Sequence, residues 1–374
     1  MNCHRIVIVL ITWCVFSVCA PTRVCATGDA PLAVKLGEKL FNDTRLSADR
    51  TIACATCHRR ERAFANNEPV GTGINHRAGT RNVPSLLDVG LQRALFWDGR
   101  APDLETQARV PLLNPAEHGF PDALAVLSVV RGDSSYVEMF TQLDHLKSAD
   151  EISLLHVSAA LAAFERTLRS TPAPFDRFFR DHDTTALSAS AQRGFEIFGG
   201  RGRCTTCHVV QEDHALFTDM QYHPSARGLP GTVNDRLVEL TGRVLELKND
   251  PGSERLEHAI AADAAIAALG RFVVTLDPTD IGRFKTPSLR NVALTAPYMH
   301  DGSVATLDEA IGLELYSRGA ALNYPIVVTV DEKQDLIAFL RSLTSVPTPS
   351  HLPAAGRSGH TDTSSTSSVT GAEP

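Results

Sequence analysis

Two copies of one short pattern constrain this chain more than any other feature of its sequence. The pattern Cys-X-X-Cys-His occurs at residues 54–58 and again at residues 204–208. It is the attachment pattern of a c-type haem, in which both thiols add to the haem vinyl groups and the adjacent imidazole ligates the iron. A single Cys-X-X-Cys is also compatible with a dithiol redox pair or with half of a zinc site. Two copies, each followed directly by histidine, favour two covalently bound haems.

The N-terminus has the pattern of an export signal. Arg5 precedes an apolar run over residues 6–20, and Ala26 provides a small-residue cleavage point. Cleavage after Ala26 removes four of the eight cysteines, so the remaining four are those of the two motifs. A retained membrane anchor is the alternative, but the run is short for a span and is interrupted by polar residues. We therefore predict that residues 1–26 are a signal peptide.

The predicted signal sets the expected location of the mature chain. Haem c is attached outside the cytoplasm in bacteria, so export agrees with the two motifs. We expect a periplasmic or cell-surface-associated protein with no membrane span after cleavage, because no later stretch is apolar enough to cross a bilayer. The net charge is −7 and no basic stripe occurs, so a nucleic-acid partner is not expected.

Helical periodicity and turn residues divide the mature chain into two halves. Apolar residues recur at helical spacing over residues 151–169, and the Thr-Pro-Ala-Pro sequence at 171–174 ends that helix. A second helix, predicted over residues 187–198, stops at a Gly-Gly pair just before the second motif. Because a helix ending in a loop precedes each motif, we predict a mainly α fold with two cytochrome c-like haem domains in tandem, residues 27–170 and 171–346.

Long loops and a disordered tail are predicted for other parts of the chain. A helix beginning near Leu104 is expected to end at Pro111. Residues 209–290 are predicted to be mostly loop, with one helix near residues 259–269. Residues 347–374 are mostly Ser, Thr, Pro, Gly and Ala, and they cannot bury enough apolar surface to fold. We therefore predict a disordered C-terminal tail.

Two further stretches resemble the signatures of the bacterial di-haem cytochrome c peroxidase superfamily, which includes MauG. The first stretch begins at Phe-Trp-Asp-Gly-Arg-Ala, residues 96–101, and ends at Asn-Pro-Ala-Glu, residues 114–117. The second stretch is Phe-Lys-Thr-Pro-Ser-Leu-Arg-Asn-Val at residues 284–292, completed by residues 293–302. The resemblance covers residues 32–345, which is nearly the whole mature chain.

This resemblance implies two cytochrome c-like domains with a haem in each and a calcium ion between them. His58 and His208 would be the proximal iron ligands, next to the thioether cysteines Cys54, Cys57, Cys204 and Cys207. The calcium ion would be held by the side chain of Asn82 and by the backbone carbonyls of Thr295 and Pro297. A hard cation prefers such oxygen ligands.

The resemblance also implies roles around the haem of the N-terminal domain, where peroxide would react. Glu117 resembles the carboxylate that moves a proton between the two peroxide oxygens. Gln107 resembles the amide that orients the peroxide. Pro111 would line the same pocket. Trp97 resembles the tryptophan between the two haems, where an indole can relay an electron; it is also compatible with a core aromatic at a turn.

Two positions decide the subtype within the superfamily. In conventional cytochrome c peroxidases a loop histidine caps the peroxide-reacting haem, and His76 lies near that place; a solvated loop histidine is the alternative. The second haem of those enzymes has a methionine ligand, but Glu314 stands at that position and no methionine follows Met299. Tyr316 resembles the tyrosine ligand of MauG-type enzymes, displaced by two residues. A tyrosine packing at a helix end is the alternative.

The implied activity is that of an enzyme, a di-haem peroxidase of the MauG-like branch. It would use hydrogen peroxide to form high-valent haem iron and oxidise a partner by long-range electron transfer. The expected partner is an aromatic side chain of a periplasmic protein. The alternative is a conventional cytochrome c peroxidase, which reduces peroxide with electrons from a small cytochrome or cupredoxin. A pure electron carrier with two six-coordinate haems is a third possibility.

Overall fold

The chain folds mainly into α-helices, as the sequence predicts, and the computed structural model describes residues 31–250 and 254–345. The predicted signal peptide and C-terminal tail lie outside these described residues. The α-helices are α1 Pro31–Phe41, α2 Cys54–Cys57, α3 Leu104–Leu113, α4 Ala123–Arg131, α5 Ser134–Asp144, α6 Leu154–Arg166, α7 Pro174–Phe179, α8 Ala189–Gly199, α9 Gly231–Asn234, α10 Leu237–Lys248, α11 Arg255–Ala262, α12 Ala264–Ala267, α13 Phe272–Thr275, α14 Leu307–Ala321 and α15 Val330–Ser342.

Short elements connect these helices. The 3-10 helices lie at Thr44–Leu46, Arg60–Arg62, Ile74–His76, Val89–Leu91, Ala149–Glu151, Cys204–Thr206, Pro278–Asp280 and Val292–Leu294. Strand β1, Tyr222–Pro224, pairs antiparallel with strand β2, Arg283–Lys285, and Tyr222 lies opposite Lys285 in the ladder. Within the described ranges, no helix is long and apolar enough to cross a membrane.

The first hydrophobic core forms where α1 crosses α6. Leu36 and Leu40 lie four residues apart on one face of α1 and are fully buried, together with Leu161 of α6. Gly37 lies at the crossing, where a Cβ atom would come within 1.9 Å of the carbonyl oxygen of Ala160. The two helices therefore approach at a distance that only glycine permits.

The second core repeats this arrangement with α8 and α15. Ser188 begins α8 by accepting a hydrogen bond from the amide of Ala191. A Cβ atom at Gly194 would come within 2.0 Å of the carbonyl oxygen of Asp335, so this crossing also depends on glycine. Around it lies a cluster of aromatic rings from Phe175, Phe195, Phe198, Phe217 and Phe339. In sequence, the buried residues of the first core end at Leu168 and those of the second core begin at Phe175.

A third core lies in the region that the sequence predicts to be mostly loop. Leu240 and Val244 of α10 are fully buried and pack with residues of α11, α12 and α13. The loop prediction for residues 209–290 is therefore wrong over these helices. The helix predicted near residues 259–269 is also interrupted, because Asp263 ends α11 and its side chain caps α12.

Helix α3 continues past Pro111, where the sequence predicts its end. Pro111 has no amide hydrogen to donate to the carbonyl oxygen of Gln107, but the helix continues for two more residues, to Leu113, and Leu112 is buried in the first core. The carbonyl oxygen of Pro111 then accepts hydrogen bonds from the amides of Asn114 and His118, at 3.3 and 3.2 Å. The turn at residues 114–118 consequently folds back against the end of the helix.

Candidate active site

One continuous cavity is lined by residues from both Cys-X-X-Cys-His motifs. Its wall also includes parts of α3, α14, the β1 and β2 region and the loops between them. The motif residues that line it are Cys54, Cys57, His58, Cys204, Cys207 and His208. The fold therefore brings two thiols and one imidazole to each end of a shared internal space.

The four thiols are free and partly buried. Burial, together with nearby negative charge, raises the pKa of the Cys57 thiol to about 11 and that of Cys204 to about 12. In the described part of the chain, no potential metal cluster combines cysteines from both motifs. A zinc site would need the two pairs to converge on one ion. The thiols are instead arranged as two separate pairs, as two attachment sites require.

Each motif histidine has its tautomer set by the backbone. The Nδ1 atom of His58 donates to the carbonyl oxygen of Phe64 at 2.8 Å, and Nδ1 of His208 donates to that of Phe217 at 2.8 Å. Burial lowers the pKa of both imidazoles to about 4, so both are neutral at neutral pH. Nε2 of each ring is therefore the unprotonated nitrogen, the form in which histidine binds a metal.

A buried carboxyl without a partner also lines the cavity. Glu165 of α6 is almost fully buried, and its Oε2 has no hydrogen-bond partner. Burial raises the pKa of this carboxyl to about 8, so it is protonated at neutral pH. An uncompensated buried polar group is rare in a folded protein, and a polar occupant of the cavity would satisfy it. The thiols and the neutral imidazoles fit a covalently attached haem at each motif, and Glu165 belongs to the first half of the chain.

Two covalently bound haems per chain are the expected result for protein matured with the cytochrome c apparatus. Haem staining after denaturing electrophoresis and a pyridine haemochrome assay measure this number. Replacing Cys204 and Cys207 by serine should lower the count from two to one, with the other haem retained. A single haem in the unmodified protein, or haem that organic solvent extracts, would contradict the assignment.

Three predicted active-site residues meet near the first motif. Gln107, Pro111 and Glu117 all line the cavity, the first two on α3 and the third on the turn that folds back against that helix. Asp103 begins α3 by accepting a hydrogen bond from the amide of Thr106 at 2.7 Å. The structure therefore brings together the residues that the resemblance groups as the distal side of this haem.

Glu117 is held in a defined position with a perturbed acidity. Its Oε1 accepts a hydrogen bond from the side-chain amide of Asn114 at 2.6 Å. Burial raises the pKa of the carboxyl above 4.5, while the positive charge of Arg100 acts in the opposite direction. A carboxyl with a raised pKa is a better proton acceptor than an exposed one when it is ionised. The neighbouring His118 also lines the cavity: its Nδ1 donates to the carbonyl oxygen of Leu46, and its Nε2 lies 3.9 Å from Sγ of Cys54.

Trp97 connects the parts of the chain that carry the two motifs. Its indole Nε1 donates to the carbonyl oxygen of Asn82 at 2.8 Å, and its own carbonyl accepts from the amide of Lys285 at 2.8 Å. Trp97 and Lys285 both line the cavity. The ammonium group of Lys285 is buried and donates to the carbonyl oxygen of Ala94 at 2.6 Å. Trp97 thus lies at the contact between the two halves.

A buried charge cluster beside Trp97 was not predicted from the sequence. Asp98 is 0% exposed and pairs with Arg81 at 2.6 Å and with Arg100 at 3.0 Å. Burial alone would raise the pKa of Asp98, but the charges of Arg100 and Arg81 lower it to about 2. Arg81 also donates to the carbonyl oxygen of Ala267 at 2.7 Å, and Arg271 to that of Asp98 at 2.8 Å. The cluster therefore fastens residues 81–100 to the third core.

The three predicted calcium ligands lie on the wall of the same cavity. Asn82 is buried, and Thr295 and Pro297 are partly buried. The side-chain nitrogen of Asn82 donates to the carbonyl oxygens of Glu68 and Pro69, at 3.3 and 3.2 Å. These bonds fix the orientation of the side-chain amide, so the Oδ1 atom of Asn82 is the one that remains to bind a cation.

His76 and Tyr316, both predicted iron ligands, are not brought to the cavity. His76 is exposed at the end of a 3-10 turn. Tyr316 is 77% exposed on α14, whereas Glu314 of the same helix lines the cavity. The placement of these two side chains does not agree with the expectation that they ligate iron. In both cases the sequence indicates the segment but not the direction of the side chain.

The chain is similar in sequence to known proteins of one family. Residues 31–184 match the family model described as di-haem cytochrome c peroxidase. The methylamine utilization protein MauG of Methylorubrum extorquens is 34% identical over 332 residues, which cover 86% of this chain and 81% of that protein. The cytochrome-c peroxidase IdrP2 of Denitromonas iodatirespirans is 31% identical over 319 residues, 84% of this chain and 82% of that protein.

Solved structures have the same architecture. A crystal structure of a MauG-like protein associated with microbial copper homeostasis superimposes with a TM-score of 0.66 at 29% identity. That alignment covers 90% of this chain and 96% of the other. The motifs, the paired cores, the shared cavity and these similarities lead to one conclusion. The chain is an enzyme of the di-haem cytochrome c peroxidase family.

Proposed function

We propose that the protein is a periplasmic di-haem peroxidase of the MauG-like kind, which uses hydrogen peroxide to oxidise an aromatic side chain of a partner protein. The observation that carries the proposal is the state of the cavity at the first motif. Glu117 and Gln107 line it, while His76, the candidate for a capping ligand, lies outside it and is exposed. Peroxide therefore has access to this end of the cavity without prior removal of a protein ligand.

The residues at this end fit the proton transfers that peroxide reduction needs. Reducing one hydrogen peroxide to two water molecules consumes two electrons and two protons, and the haem supplies the iron at which the oxygen–oxygen bond is reduced. The Glu117 carboxylate accepts the proton of one peroxide oxygen and delivers it to the other, so that the leaving oxygen departs as water. Gln107 orients the peroxide through its amide, and Pro111 limits the space around it.

The two electrons must come from outside this site, and Trp97 provides a route for them. The indole lies between the motif-bearing halves and is hydrogen-bonded to Asn82, while its backbone accepts from Lys285. An indole held in this way can pass single electrons between the two ends of the cavity. The substrate therefore need not enter the cavity, which supports oxidation of a partner docked at the surface.

A conventional cytochrome c peroxidase is the second candidate, and the name of the relative IdrP2 favours it. In that case the electrons would come from a small reduced cytochrome or cupredoxin. Periplasmic proteins incubated with the holoenzyme and peroxide, and then analysed by mass spectrometry, separate the two candidates. Our proposal expects peroxide-dependent modification of aromatic residues in a defined protein. Fast oxidation of a reduced cytochrome, with no modified protein, would support the second candidate instead.

The proposal includes a calcium ion between the two halves, held by Asn82, Thr295 and Pro297. All three line the cavity, and the backbone N–H of Asn82 donates to the carbonyl oxygen of His300 at 2.9 Å. A cation at this place would therefore link the first half to the loop at residues 295–300.

Removal of calcium is expected to change the visible spectra of both haems, because both motifs share the cavity that the ion would stabilise. Exhaustive chelation followed by spectroscopy measures the effect, and re-addition of calcium, but not of magnesium, should reverse it. Spectra and activity that survive chelation unchanged would show that the ion is absent or has no role.

A further inference from the structure

Helix α14 presents one narrow face to the cavity at the second motif. The residues of α14 that line the cavity are spaced by three, one, three, one and three positions: Leu307, Ala310, Ile311, Glu314, Leu315 and Arg318. This spacing follows one side of a helix. Tyr316 is two residues beyond Glu314, which corresponds to about 200° of rotation around the helix axis. The exposed position of Tyr316 is therefore a consequence of helix geometry.

Glu314 is the acidic side chain of this cavity-facing stripe. It lines the cavity together with Cys204 and Cys207 of the second motif. The Nε atom of Arg318, one turn further along the helix, donates to Oε2 of Glu314 at 3.2 Å. Arg318 uses Oε2, so Oε1 is the oxygen that this pair leaves available.

Other potential ligands also line this end of the cavity, and the ligand atoms of His223, Asp219 and Cys207 lie within 4.8 Å of one another. His223 contacts Asp219 at 2.7 Å through Nε2, and the hydroxyl group of Tyr298 donates to the carbonyl oxygen of Val292 at 3.2 Å. His300 stacks on the ring of Phe284, with centroids 3.8 Å apart. Met299, His223 and His300 are therefore the neutral competitors, since all three line the cavity.

We propose that Glu314 is the second axial ligand of the C-terminal haem iron, through Oε1, and that Arg318 is a positioning residue that holds Oε2. His208 would supply the other iron ligand. A carboxylate is a hard anionic ligand, so it stabilises ferric iron and lowers the reduction potential relative to methionine. This assignment replaces Tyr316 and requires only that both haems are attached, whatever the substrate of the enzyme.

Spectroscopy of the full-length ferric holoprotein tests the assignment without an activity measurement. The unmodified protein should lack the far-red absorption band of a methionine-ligated ferric haem. Glu314→Met should gain that band and raise the reduction potential of one haem only. Tyr316→Phe is the matched control, because it changes the same helix two residues away, and its spectra and potentials should equal those of the unmodified protein.

Two further variants keep the proposal testable if the methionine variant fails to mature. The isosteric Glu314→Gln should retain two haems and change the spectrum of one of them. Arg318→Gln should partly reproduce that change, and Arg318→Lys should restore the original spectrum. A methionine band in the unmodified protein would assign Met299 instead. Altered spectra in Tyr316→Phe, or unaltered spectra in Glu314→Gln with full haem content, would also overturn the proposal.

Discussion

Glu117→Gln is expected to keep both haems but to slow the reaction of the ferric protein with hydrogen peroxide by about a hundredfold or more. Glutamine preserves the shape of the side chain and can still pair with Asn114, but it cannot accept the peroxide proton. Stopped-flow mixing with peroxide, followed at the haem absorption, measures the rate. Glu138→Gln is the control, because Glu138 is exposed on α5 and does not line the cavity.

The rate of the reaction with peroxide should also depend on pH through Glu117. Burial raises the pKa of Glu117 above 4.5, and only the ionised carboxylate accepts a proton. The rate in the unmodified protein should therefore increase as the pH rises through this raised pKa and should be low at more acidic pH. The glutamine variant should lack this pH dependence. If Glu117→Gln reacted at the original rate with the original pH profile, Glu117 would have no part in proton transfer.

Asp98→Asn is expected to lower the free energy of unfolding by about 3–5 kcal/mol, the usual range when one partner of a buried ion pair is removed. Asp98 is fully buried between Arg81 and Arg100. Asparagine would remove the counter-charge of Arg81, whereas Arg100 would keep its ion pair with Glu257 at 2.8 Å. Denaturant unfolding, followed by circular dichroism at constant haem content, measures the change. Glu239→Gln is the control, since it breaks the exposed pair with Arg236 and should have almost no effect.

The acid sensitivity of the fold should follow from the same cluster. The folded-state pKa of Asp98 is about 2, below its ordinary value of 3.8. Its contribution to stability is therefore complete above pH 3.8 and is lost as the pH falls towards 2. An Asp98→Asn variant as stable as the unmodified protein would show that Arg81 and Arg100 find other partners, and that the cluster does not fasten the halves.

The parts of the fold that sequence reasoning predicted are those with local signals. The helix over residues 151–169 and the helix before the second motif occur as α6 and α8, because apolar spacing and the Ser188 cap act within single segments. The two motifs, with Gln107, Pro111 and Glu117, also meet in one cavity. What no local pattern indicated is the helix crossing at Gly37 and Gly194, where the constraint is the backbone of a distant helix.

The differences have two causes, a local signal that was overlooked and tertiary contacts that no local signal indicates. In α10, Leu237, Leu240, Val244 and Leu247 recur at helical spacing, so the sequence itself favours a helix there. Asp98 lies in a stretch that resembles a family signature, but no local pattern indicates its buried ion pair with Arg81. Tyr316 and Glu314 lie on one helix, and only the orientation of that helix against the cavity distinguishes them.

The most direct test of the central claim is to mix the fully ferric protein, without prior reduction, with one equivalent of hydrogen peroxide. His76 is exposed and outside the cavity, while Glu117 and Gln107 line it, so the account predicts an immediate change in haem absorption. If the protein reacted only after one haem had been reduced, a ligand would have to leave the first haem before peroxide could bind. That result would contradict the open site proposed here and would indicate a conventional cytochrome c peroxidase.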